Sequence, residues 1–96
     1  MNEAYKIKDL EKFKKELKTL KFVSFDEIQS GEFLVLDNRV ATKWDRFWNK
    51  DWLCQVLQDR KTKDFWVCFY DCNNFKSLDF KDIISFVKII AGNIEK

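Results

Sequence analysis

The segment WDRFWNKDW (residues 44–52) concentrates the residue types best suited to molecular recognition. It holds three of the chain's four tryptophans, Trp44, Trp48 and Trp52, together with Arg46. Tryptophan offers a large contact area with few rotatable bonds, and arginine adds directed hydrogen bonds and cation–π contacts. Spacing by four residues puts the indoles on one side of a helix, and equally on one face of a strand. The segment therefore contributes either to a contact surface or to the core.

Side chains that support catalysis are few. The chain has no histidine, which is the commonest general base and the usual partner of a serine or cysteine nucleophile. Gly31 and Gly92 stand alone, so the sequence has no glycine-rich phosphate loop. Its acidic residues are scattered among lysines and form no evident pair. We expect a non-enzymatic protein without catalytic residues or a cofactor; the minor alternative is an enzyme that uses Cys68 or Cys72.

The cysteines Cys54, Cys68 and Cys72 are an odd number, which argues against a closed disulfide framework. Residues 1–21 are charged throughout and have no apolar leader, so we expect free thiols in the reducing cytoplasm. Three cysteines without histidine leave a structural zinc site one ligand short, so no metal is expected. The longest apolar run, IISFVKIIAG, is about half the length of a bilayer span, and we expect no membrane partner.

Two segments have the periodicity of amphipathic helices. Residues 4–20 (AYKIKDLEKFKKELKTL) combine a narrow apolar stripe with a face of lysines and acids. The stripe consists of Ile7, Leu10, Phe13, Leu17 and Leu20. A second helix is predicted after Asp79, a suitable N-cap, with the stripe Phe80, Ile83, Ile84, Val87, Ile90 and Ile94, widened by Phe86 and Ile89. So broad a stripe is either covered on two sides or meets a partner, and a homo-oligomer formed through this C-terminal helix is one option.

The middle of the chain predicts strands. SFDEIQSG (24–31) has a capping-box pattern and predicts one short helical turn, and EFLVL (32–36) predicts a strand. The apolar runs WLCQVLQD (52–59) and DFWVCFYD (64–71) lie on either side of the polar tetrad Arg60–Lys63, and this arrangement predicts a β-hairpin.

If Asp59 pairs with Asp64 across the turn, the hairpin has two distinct faces, because side chains alternate along a strand. A slip of one residue would exchange these faces. One face is wholly apolar and is predicted to be core: Trp52, Cys54, Val56, Phe65, Val67 and Phe69. The other is mixed: Leu53, Gln55, Leu57, Trp66, Cys68 and Tyr70. A turn at Asn49–Asp51 would place Trp52 at the start of the hairpin and leave Trp44 and Trp48 in the segment before it.

The elements GEFLVL, DWLCQV, VCFYD and FKSLDF together resemble a Tudor or related SH3-like barrel over residues 31–83, about half of the chain. The chain departs from that family in a longer first loop and in its low glycine content. The resemblance implies a partly open barrel whose mouth binds methylated lysine or arginine through aromatic side chains. Trp52 and Tyr70 match those aromatic positions.

The expected fold is a single α+β domain over residues 1–96: a small antiparallel sheet or partly open SH3-like barrel, flanked by an N-terminal and a C-terminal amphipathic helix. The expected function is non-enzymatic binding to a protein. The binding residues are predicted to be Trp44, Arg46, Trp48, Trp66 and Tyr70, because the helices and the hairpin already supply enough apolar side chains for a small core.

Other partner classes remain open. Residues 1–21 hold seven lysines against four acids, but the whole chain has a net charge of only +2. Nucleic acid is therefore a secondary alternative, with weak and salt-sensitive binding, as is a Tudor-like reader. The small size, the lack of catalytic groups and the excess of aromatic residues also fit a small inhibitor of a host enzyme or defence complex, encoded by a mobile element.

Overall fold

The computed structural model describes residues 3–28, 33–34, 40–70 and 78–95. Over these residues the chain forms strands on either side of one helix and ends in a second helix. The elements are β1 (Glu3–Lys6), α1 (Leu10–Lys18), β2 (Ser24–Ile28), β3 (Phe33–Leu34), β4 (Val40–Asn49), β5 (Trp52–Asp59), β6 (Phe65–Tyr70) and α2 (Phe80–Asn93).

The sheet is antiparallel, and its main path runs β1-β6-β5-β4-β2, with the short β3 pairing β4 beside β2. Two hairpins connect its central strands. The turn at Lys50–Asp51 joins β4 to β5, as the polar residues at this point predicted. Sheet and helices together confirm the predicted α+β class.

The predicted register of the second hairpin is confirmed. Cys54 pairs with Phe69 and Val56 with Val67, which sets Asp59 opposite Asp64. The Asp59 carboxylate accepts backbone hydrogen bonds from Lys61 (2.8 Å) and Thr62 (3.2 Å), and these fix the turn without a glycine.

Both helices pack on one face of the sheet, which we call the inner face. The α2 residue Phe86 lies 4.7 Å from the ring of Trp52 and 6.2 Å from that of Phe69. From α1, Phe13 and Leu17 are fully buried in the same cluster as Phe47, Cys54, Val56 and Val67. The helices therefore cover the wholly apolar face that the hairpin register predicted to be core, and the opposite, outer face carries neither of them.

The inner face also holds one ion pair at an unusually buried place. Asp45 of β4 is 5% exposed, and its carboxylate lies 2.9 Å from the Nζ of Lys14 on α1. Burial acts most strongly on Lys14 and disfavours its charge. The hydrogen bond and charge of Asp45, with the charges of Glu27 and Glu11, outweigh burial and raise the Lys14 pKa. This ion pair links α1 to the sheet beside the apolar core.

Two predicted elements differ from the structure. Residues 4–6 were expected to be helical, but they belong to the edge strand β1, and the helix starts at Leu10 after the N-cap Asp9. Residues 24–28 were expected to form a helical turn, but they form β2. In both places the sequence also alternates with the period of a strand, and pairing to a distant strand decides the outcome.

Other predictions meet the limits of the described residues. Of the strand predicted at 32–36, Phe33–Leu34 form β3, and the remainder lies outside the described part of the chain. The first half of FKSLDF, the last element of the Tudor-like resemblance, also lies outside it, and the described half is not a strand, because Phe80 begins α2. The open path of paired strands leaves closure into a barrel a prediction.

The C-terminal helix has the predicted start but a different orientation. Asp79 occupies the N-cap position without a side-chain capping bond. Phe86 and Asn93 face the core, whereas Val87, a member of the predicted apolar stripe, is 52% exposed. Ile94 lies just beyond the helix and forms an isolated β-bridge with Ile7. Neither described helix has the length and apolar character needed to cross a membrane.

Candidate functional site

All five predicted binding residues lie on the outer face of the sheet. The pairing of Trp44 with Leu57, Arg46 with Gln55 and Trp48 with Leu53 puts alternate residues of β4 on this face. Trp66 pairs with Leu57, and Tyr70 with Leu53, so alternate residues of β6 share it. We call Trp44, Arg46, Trp48, Trp66 and Tyr70 the aromatic patch.

The register gives the patch its dimensions. β4 and β6 lie on either side of β5, so their backbones are about 10 Å apart. Trp44 and Trp48 are four residues apart along β4, a distance of about 13 Å. Four aromatic positions therefore mark the corners of a rectangle, and Arg46 lies midway along one side.

Arg46 is held in place by two neighbours. Its Nη2 donates to the Oδ2 of Asp26 on β2 over 3.0 Å, and its guanidinium carbon lies 5.3 Å from the centre of the Trp48 ring. The side chains of Arg46 and Asp26 are 38% and 47% exposed, so the group is ordered yet open to solvent. A guanidinium held against an indole has less conformational freedom to lose on binding a ligand.

The tryptophans divide according to the face they occupy. Trp52 lies on the inner face, is 2% exposed and packs on Phe86, which confirms the prediction that it is core. Trp48 and Trp66 on the outer face are half-buried. Trp44 belongs to the outer face by its register; its side chain, like that of Tyr70, is outside the described part of the structure.

The register puts the polar Gln55 at the centre of the aromatic patch, and the residues around it differ in burial. Leu57 and Cys68 are each 1% exposed, while Leu53 and Gln55 beside them are half-buried. The aromatic patch thus surrounds a mixed surface formed by β5 and β6.

Charges are placed at the edges of this face. Lys6 on β1 forms ion pairs of 3.5 Å with Asp64 and 3.4 Å with Glu95. The charges of Asp64 and Glu95, with a hydrogen bond to Glu95, raise the Lys6 pKa. Asp26 marks the opposite edge on β2. Polar and charged residues at the rim are usual in protein interfaces.

Sequence reasoning missed Asp26. The capping-box pattern assigned its segment to a helical turn, where Asp26 would not meet Arg46. The sequence signal for a strand here was the alternation of Phe25 and Glu27 with Asp26 and Ile28. In the structure Phe25 faces inward, and its ring lies 4.6 Å from that of Phe47.

The two described cysteines lie on opposite faces of the sheet. Cys54 is on the inner face and Cys68 on the outer face, as the predicted register required; both are buried and neither is in a disulfide. Cys72 lies outside the described residues. Within the described ranges, no three acidic, cysteine or histidine side chains are grouped as metal ligands would be.

Comparison with protein-family models, curated proteins and solved structures finds no match to this chain. Its function must therefore be inferred from its own surfaces.

Proposed function

We propose that this chain is a non-enzymatic cytoplasmic binding protein that contacts a protein partner through the aromatic patch. The observation that carries the proposal is the register of β4, β5 and β6, which brings the patch residues to one face while both helices occupy the other.

The chemistry of the patch supports a protein ligand. Tryptophan, tyrosine and arginine dominate the residues that contribute most to protein interfaces, and the patch consists of these three types. Its rectangle of about 10 by 13 Å is smaller than a whole interface, which covers about 800 Å² on each partner. It therefore suits the central anchor of an interface whose rim includes the charged edges at Lys6 and Asp26.

The test begins with capture of partners from source lysate, with and without nuclease, followed by affinity measurements on the purified complex. Trp48→Ala should weaken binding by about 2 kcal/mol, roughly thirtyfold. Lys15→Ala is the control, because it truncates an exposed side chain on α1, which packs on the inner face. It should leave this affinity within about twofold.

Equal losses for Trp48→Ala and Lys15→Ala, or no loss for Trp48→Ala, would contradict the assignment of the patch. A captured enzyme whose activity falls on binding would identify the chain as an inhibitor. Capture that disappears with nuclease and reappears with added nucleic acid would favour the nucleic-acid alternative.

The Tudor-like alternative requires aromatic side chains that line one cage. Trp52 is buried on the inner face, whereas Tyr70 belongs to the outer face, so these two positions cannot line one cage. A reader of methylated lysine would have to combine Tyr70 with Trp48 or Trp66. Binding of a trimethyl-lysine peptide, at least about tenfold tighter than the unmodified peptide, would favour this alternative.

A further inference from the structure

The solvent side of α2 carries a second apolar surface, separate from the aromatic patch. Phe80 is 78% exposed, Val87 52% and Ile84 38%, and Ala91 is also exposed. We call these residues the α2 stripe. Since Phe86, on the other side of the same helix, packs on Trp52, the stripe points away from the sheet.

The stripe has the spacing of a coiled-coil seam. Its residues follow one another at intervals of four, three and four, which correspond to heptad positions d, a, d and a. A helix of this length presents the seam over about 16 Å, roughly two heptads. The folded domain already holds this seam in a helical conformation. Binding to it therefore costs less conformational entropy than binding to an isolated helix would.

The side of the stripe is positively charged. Lys81 and Lys88 both occupy the e position, are exposed, and form no ion pair with a described residue. Asp79 and Asp82 lie in the cleft beside Lys81, but Lys88 has no acidic residue within one turn along α2. The g positions, Ile83 and Ile90, are half-buried and apolar.

These flanking residues argue against a second copy of the chain as the occupant. An antiparallel pair of identical helices places e residues opposite e residues, so Lys81 would face Lys88 of the other copy. A parallel pair would set each lysine against an apolar g residue and leave its charge uncompensated. A helix with acidic flanks would match both the seam and the lysines.

We propose that the α2 stripe docks an amphipathic helix of a partner protein whose seam is flanked by acidic residues. The site is independent of the aromatic patch, because α2 and the patch are on opposite sides of the sheet. The chain would thus hold two partners, or two parts of one partner, on opposite faces.

The test uses two synthetic helical peptides of about three heptads, both with leucine at a and d. One has glutamate at e and g, and the other has lysine there, so that neither pairs with itself. Fluorescence anisotropy on the full-length protein should show the acidic peptide binding at least about tenfold more tightly at low salt. The double variant K81E/K88E should reverse this preference.

Two controls separate the stripe from general effects. K15E/K61E makes the same change in net charge at exposed lysines elsewhere and should preserve the preference for the acidic peptide. Val87→Glu should weaken that peptide at least tenfold while the unfolding midpoint stays near wild type. Trp48→Ala should leave peptide binding unchanged, so failure of this proposal is distinguishable from failure of the aromatic patch.

Several outcomes would overturn the proposal. One is equal or absent binding of the two peptides, and another is a K81E/K88E variant that keeps the wild-type preference. Concentration-dependent dimerisation in sedimentation, abolished by Val87→Glu, would assign the stripe to a second copy. Binding to phosphatidylserine vesicles without peptide binding would assign it to a lipid surface.

Discussion

Phe47 and Trp48 are adjacent in β4, yet they have opposite surroundings. Phe47 faces inward, is fully buried and stacks on Phe25 at 4.6 Å. Trp48 faces outward, remains half-buried and carries the guanidinium of Arg46 at 5.3 Å. Both are large aromatic residues, so hydrophobicity alone does not separate core from contact surface. Position along the strand does, because every second residue faces the helices.

The largest expected loss of stability is at the inner-face residue Phe47. Phe47→Ala should lower the free energy of unfolding by about 3–5 kcal/mol, because it leaves a cavity in a fully buried cluster. Chemical denaturation measures this loss. A cost below about 1 kcal/mol would mean that β4 presents its other face to the helices.

The ion pair beneath α1 should give the next largest effect. Lys14→Ala leaves Asp45, which is 5% exposed, without its partner and should cost about 2–3 kcal/mol in chemical denaturation. The double variant Lys14→Met with Asp45→Leu should recover most of that loss, because no buried charge remains. If the double variant is less stable than Lys14→Ala, charge is not the source of the cost.

Trp48→Ala is the outer counterpart of Phe47→Ala and should change the free energy of unfolding by no more than about 1 kcal/mol. Its indole is half-buried, and its removal opens no sealed cavity. Parallel denaturation curves of the two variants give the comparison directly. Similar losses at both positions would remove the distinction between the faces.

The smallest expected effect is acid-dependent and lies between the helices. Hydrogen bonds from Asn93 and Lys12 lower the pKa of Glu16. The stabilisation is therefore present above the unfolded pKa of about 4.3 and is lost as pH falls through the lower folded value. Glu16→Gln should be less stable than wild type at neutral pH, and the difference should vanish in acid. Asp82→Asn, which removes an acid from the first turn of α2, is the control.

Local signals made the second hairpin predictable from sequence. Its two apolar runs are separated by four polar residues, and Asp59 both ends β5 and accepts hydrogen bonds from the turn. With Asp59 placed opposite Asp64, the two faces of the hairpin and the burial of Trp52 followed from alternation. The residues of the aromatic patch were predicted from their types alone. That they share one face depends on the register of the strands.

The edge strands were not predictable in the same way. β1 pairs with β6 and β2 with β4, and both partners are distant in sequence. Near Ser24 and Glu27 a helical capping pattern coincides with strand alternation, so local information leaves the choice to tertiary pairing. The same ambiguity hid the contact between Asp26 and Arg46. It also hid the orientation of α2, whose apolar residues surround most of the helix.

Iodide quenching of tryptophan fluorescence tests most directly whether the outer face is an open contact surface. Two variants are needed, one that retains only Trp48 and one that retains only Trp52, with phenylalanine at the other tryptophan positions. In the folded protein, Trp48 should be quenched readily, helped by the positive charge of Arg46, and Trp52 should resist quenching until denaturant is added. Equal protection of Trp48 and Trp52 in the folded state would contradict the assignment of the aromatic patch.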